Sequence, residues 1–172
     1  YRASYDPFHT EETYLPPYMV PAPRLGRTPF QSILVDHAGI ANFSYHLVEY
    51  PEEMHELYEA LRAGFRQQLE IVARGPGRYI NVLENLTFDT MGPRRFEKYL
   101  LPVYEETFGM LHEAGKIVGC HYDGQIKLAK DVVARSPIDL IESLTPPPEG
   151  DILMAEARAA WPDKLFWANI NM

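Results

Sequence analysis

The sequence predicts an α/β fold built on a parallel sheet. Three observations carry this. Short apolar runs of strand length alternate with stretches of helical periodicity. The connections between them are short and rich in Gly and Pro. The apolar runs also stop abruptly in polar groups, as in GKIVGCHYDG (115–124), where His121, Tyr122, Asp123 and Gly124 end the run. Parallel α/β folds build their chemistry at such C-terminal strand ends.

The elements follow in order. Residues 1–32 hold Pro7, Pro16, Pro17, Pro21, Pro23 and Pro29, a density that suits neither helix nor central strand, so an irregular arm or loop is expected. ILVDHAG (33–39) reads as a buried first strand, and 40–50 as a short helix or loop. Pro51, followed by Glu52 and Glu53, suits a helix N-terminus, and Met54, Leu57, Leu61, Phe65, Leu69 and Val72 recur at helical spacing to Ala73. GPG (75–77) breaks that helix before the strand RYINVLENL (78–86). Residues 91–115 read as helical from about Pro93, with Pro102 predicting a kink or break and Gly115 a C-cap. A strand at 116–121, a helix at about 125–135, a strand at 139–144, a helix at about 150–160 and a strand at 164–171 complete the pattern. Five strands alternating with helices fit either a doubly wound sheet or part of a (β/α)₈ barrel. A complete barrel usually needs about 250 residues, and this chain has 172.

Composition narrows the function. Apolar residues make up 46% and charged residues 23%, ordinary for a globular domain with its own core. A net charge of −8 and a pI near 5.2 leave no basic footprint for nucleic acid or an acidic membrane. No apolar run nears the roughly 20 residues of a membrane span, residues 1–30 do not resemble a signal peptide, and the single Cys120 allows no intrachain disulfide. A cytoplasmic protein is expected. The absence of an initial Met and the apolar run just before Met172 suggest a segment of a longer protein.

Beyond the arm, residues 33–172 resemble the uroporphyrinogen decarboxylase superfamily, which includes cobalamin-dependent methyltransferases. The resemblance rests on the order of YPEEMHEL (50–57), ENLTFDTMGPRRFEKYLLPVYEE (84–106), GKIVGCHYDG, DLIESLTPPPEGDILMAEAR (139–158) and DKLFWANIN (163–171). It implies a (β/α)₈ TIM barrel, of which this chain would supply about five β/α units. It also implies a tyrosine near the substrate, at Tyr45 in GIANFSY (39–45), and places Asn85 where the decarboxylase has a serine. In the methyltransferases the strand ends in His-x-Cys and a later cysteine completes a zinc site. Here the pair is His121 and Asp123.

On a strand, residues i and i+2 share a face, so His121 and Asp123 can address one ligand or metal, and Asp123 can orient His121 as a general acid or base. Zinc accepts mixed His and carboxylate ligands, with Glu84 as a third candidate. Further candidates for substrate binding are His37, Glu84, Glu142 and Asn169, the last sharing a face with Asn171. Ile141 and Glu142 must point to opposite faces, and Cys120 away from His121. Phe43, Trp161, Phe166 and Trp167 read as core.

Three functions are open at this stage. The resemblance implies methyl transfer at His121/Asp123, with zinc and a corrinoid protein as partner, or decarboxylation of an acidic tetrapyrrole without a cofactor. The decarboxylase reading needs cationic anchors, and the arginines fall mostly on helices and loops. A non-catalytic ligand-binding or incomplete barrel is the third. A small-molecule substrate and a homodimer complete the expected partners.

Overall fold

A computed structural model describes residues 4–169 and contains an α/β fold with a five-stranded parallel sheet. The strands are β1 (Arg24–Leu25), β2 (Tyr79–Val82), β3 (Ile117–His121), β4 (Leu140–Leu144) and β5 (Leu165–Ala168). Each pairs with its successor in sequence, so the order β1-β2-β3-β4-β5 has no reversal point of the doubly wound kind.

Helices fill every connection. α1 (Asp6–Tyr14) precedes β1. Between β1 and β2 run α2 (Pro29–Ser32), a π-helical turn (Ile33–Ala38), α3 (Gly39–Glu49) and α4 (Pro51–Arg74). Between β2 and β3 come α5 (Phe88–Met91), α6 (Pro93–Arg95), a second π-helical turn (Phe96–Leu100) and α7 (Leu101–Glu113). A 3₁₀ turn (Lys127–Ala129) with α8 (Lys130–Arg135) leads to β4, and α9 (Met154–Ala160) to β5.

Alternation and register divide the sheet into two unlike faces. Ile80, Val82, Val118, Cys120 and Ile141 share one face and are fully buried with the helical layer. The other face carries Asn81, Gly119, His121 and Glu142, and beside them Leu165 and Trp167, which are 54% and 57% exposed. Cys120 therefore points away from His121, as the alternation predicts. Phe43 and Trp161 lie in the core and Phe166 packs partly against it, but Trp167 does not, because it shares the open face with Glu142.

Two expectations for the first 39 residues are corrected. The segment 33–39 is helical, not a strand. Pro29 sits at the first turn of α2, and Phe30, Ile33 and Leu34 are buried at i, i+3, i+4 while Val35, Asp36 and His37 are exposed. The apolar run ILV is thus part of a helical stripe that begins at Phe30. The first strand lies instead within the Pro-rich stretch, which also forms α1 and α2. Pro23 is tolerated beside β1 because this is an edge strand, and its carbonyl accepts a hydrogen bond from Asn81 N–H at 3.0 Å.

Pro102 acts as a local distortion. It is the second residue of α7 and lacks the N–H that would bond the carbonyl of Lys98. The preceding turn, Phe96–Leu100, is π-helical and the helix continues. Gly115 closes α7 as expected. Its φ is +74°, Gly115 N–H donates to His112 O at 2.8 Å and Lys116 N–H to Leu111 O at 3.0 Å, the paired bonds of a Schellman cap.

Candidate functional site

The two faces direct the polar strand ends. His121 closes β3 and stands in register with Glu142 on β4, on the open face. His121 Nδ1 is 3.1 Å from Glu142 Oε2, and His121 Nε2 is 3.5 Å from Asp123 Oδ2. Glu142 is 7% exposed. Its Oε2 also accepts a hydrogen bond from Asn81 Nδ2, and its Oε1 lies 3.8 Å from the Arg24 guanidinium. Strands β1 to β4 thus each contribute a side chain to one cluster.

The ring nitrogens decide what this cluster favours. A neutral imidazole has one N–H donor and can satisfy one carboxylate, whereas an imidazolium donates from both nitrogens. With a carboxylate at each nitrogen, the charged form is preferred. The Asp123 hydrogen bond raises the His121 pKa most, partial burial opposes it, and Glu142 adds to the rise. Asp123 is held below the ordinary carboxylate range, chiefly by the same bond to His121.

Backbone geometry aims these groups. Ser143 takes φ +62° and the β4–β5 register shifts between Glu142 and Leu144, a bulge at the end of β4. Asn169 fastens the end of β5 to it, donating from Nδ2 to Ser143 O at 3.3 Å and Thr145 Oγ1 at 2.9 Å. Asn169 is therefore engaged in holding the strand ends, and Asn171 lies outside the described residues.

The other candidates lie elsewhere. Glu84 is fully buried, with Oε1 accepting from Tyr104 Oη at 2.8 Å and Oε2 from Thr28 N–H at 3.2 Å, on the side of α7. Burial pushes its pKa up to about 7 against the hydrogen bonds that lower it. Asn85, with φ +49°, accepts a hydrogen bond from Gln31 Nε2 on its carbonyl at 3.1 Å. It lines a cavity of about 450 Å³ with Gln31, Leu34, Val35, Ile40 and Thr87. Tyr45 lies on α3, 55% exposed, its ring edge-on to Tyr50. His37 is exposed in the first π-helical turn, off the strand ends, because the segment is helical.

A zinc site needs three or four converging protein donors. Among the described residues no group of three His, Cys, Asp or Glu side chains is placed to hold a metal. The trio His121, Asp123 and Glu84 does not assemble, since Glu84 is bound into the helical layer and both His121 nitrogens already face carboxylates.

Sequence reasoning missed Arg24 and Asn81. Arg24 was hidden in a proline-rich stretch whose two-residue strand has no periodicity to read. Asn81 did leave a signal: it is the one polar residue inside the run YINV. Arg27, just after β1, is a second overlooked arginine and pairs with Asp36 at 2.7 Å.

The chain matches no protein-family model and no curated protein.

Proposed function

We propose that this chain is an arc of a (β/α)₈ barrel whose strand ends bind a small carboxylated molecule, and that His121 is the general acid that protonates it. The observation that carries this reading is the imidazole set between Glu142 and Asp123. Five successive parallel strands without a reversal, with one face under helices and the other open, support the barrel arc.

The chemistry follows from the contacts. Asp123 is the more exposed of the two carboxylates and its contact is the longer, so a substrate can displace it from Nε2. Nε2–H then faces the substrate. Glu142 remains on Nδ1–H, fixes the tautomer and stabilises the charge before transfer. In a decarboxylation, the bond from the carboxyl carbon to its neighbour breaks and carbon dioxide leaves. The electron pair stays on the neighbouring carbon, which takes the proton from Nε2. Arg24 supplies positive charge on the same face for a carboxylate.

This favours the decarboxylase reading over metal-dependent methyl transfer. Its test is carbon dioxide release from uroporphyrinogen under anaerobic conditions, with and without a chelator. We expect release that survives chelation and falls by about 10²–10⁴-fold in His121→Gln. No release, or methyl transfer to a corrinoid that requires added zinc, overturns the reading.

A further inference from the structure

The Glu142–His121 contact depends on a residue two strands away from Glu142. Asn81 is on β2, Glu142 on β4, and β3 runs between them. Adjacent strands lie about 4.8 Å apart, so the two side chains start roughly 10 Å from each other. They nevertheless meet: Asn81 Nδ2 donates to Glu142 Oε2, the same oxygen that faces His121 Nδ1 at 3.1 Å.

The residue of β3 beside Asn81 is Gly119. It is in register with Asn81 on one side and with Leu140 on the other, and it shares the open face with His121. With no side chain there, the space above β3 is free for the ring of Tyr79. A Cβ at position 119 would lie 2.3 Å from Tyr79 Oη. Any side chain at 119 must push Tyr79 aside.

Asn81 is 1% exposed, and its Oδ1 is buried without a hydrogen-bond partner. A buried amide oxygen left unpaired is costly, typically about 1–3 kcal/mol. The amide thus satisfies only its donor, and spends it on Glu142. From this geometry we infer that Asn81 is a positioning residue, which holds the Glu142 carboxylate against His121. Resting on the general-acid reading of His121, it adds what keeps the acid's partner in place. Asn81 touches neither His121 nor the transferred proton; it acts through Glu142.

Titration of the His121 imidazole by NMR tests both, the signal being assigned by its absence in His121→Gln. In the unmodified chain the midpoint should lie above 6.5. Asn81→Leu keeps the shape of the side chain and removes the donor, and should lower the midpoint by about half a pH unit or more. Asn81→Ser retains a hydroxyl donor of shorter reach and should lower it less. Tyr79→Phe, which removes an oxygen that has no partner, should leave it unchanged. If Asn81→Leu does not fold, Asn81→Ser decides. A raised midpoint that neither Asn81 variant moves overturns the positioning role and leaves the acid reading standing. A midpoint at or below 6.5 in the unmodified chain overturns the acid reading and this inference with it.

Discussion

At the scale of single residues, two carboxylates that follow the same strand order behave in opposite ways. Glu142 faces an imidazole, an amide and a guanidinium. Glu84 accepts from two neutral donors, Thr28 N–H and Tyr104 Oη, and has no exposure. Its pKa rises from 4.5 to about 7 because burial disfavours the charge. Between those values the folded chain retains a proton that the unfolded chain has lost. Stability from this group is therefore greatest below about pH 4.5 and declines as pH rises to about 7. Glu84→Gln cannot titrate. In denaturant titrations at pH 5 and pH 8, the variant should gain stability relative to the unmodified chain as pH rises. An equal difference at both pH values would show that Glu84 is charged throughout.

At the scale of elements, legibility followed the length of the periodic signal. The helix at 51–74 and the strands at 117–121 and 140–144 stand within a few residues of their expected places, since each is a sustained pattern bounded by Pro or Gly. β1 was illegible because two residues between Pro23 and Gly26 give no period, and its strand character comes from pairing with Asn81 and Val82. The run 33–39 misled because three adjacent apolar residues fit a strand as well as a helix turn. Phe30 and Pro29, read as part of the arm, would have decided for helix. For the site, the same limit applies: His121, Asp123 and Glu142 could be read from strand ends, whereas the contact of Asn81 with Glu142 depends on strand order, which no local pattern records. Caps were more legible. Gly115 holds φ +74°, a conformation that costs an L-residue about 1–2 kcal/mol. Gly115→Ala should lower the unfolding free energy by that amount, seen as a lower urea midpoint with an unchanged slope, and an unchanged midpoint would contradict the Schellman cap.

Across the whole molecule, the sheet separates support from chemistry. One face, with Ile80, Val118, Cys120 and Ile141, is sealed by helices and fixes the strands; the other presents the polar cluster near the strand ends and exposed Leu165 and Trp167 beside it. Among the described residues no helix is long and apolar enough to cross a membrane. The cluster exists only where four strands meet, with Arg24, Asn81, His121 and Glu142 each on a different one, so its properties report on the assembled sheet. The carboxylates also set its pH response. Because the His121 pKa is raised on folding, its contribution to stability is fully present below 6.5 and is lost as pH rises through the raised value. The central claim, a protonated His121 held between Glu142 and Asp123, is tested most directly by the NMR titration of that imidazole in the unmodified chain, in Glu142→Gln and in Asp123→Asn. The account predicts a midpoint above 6.5 that falls in both variants. A midpoint at or below 6.5, or one that neither variant moves, would contradict it.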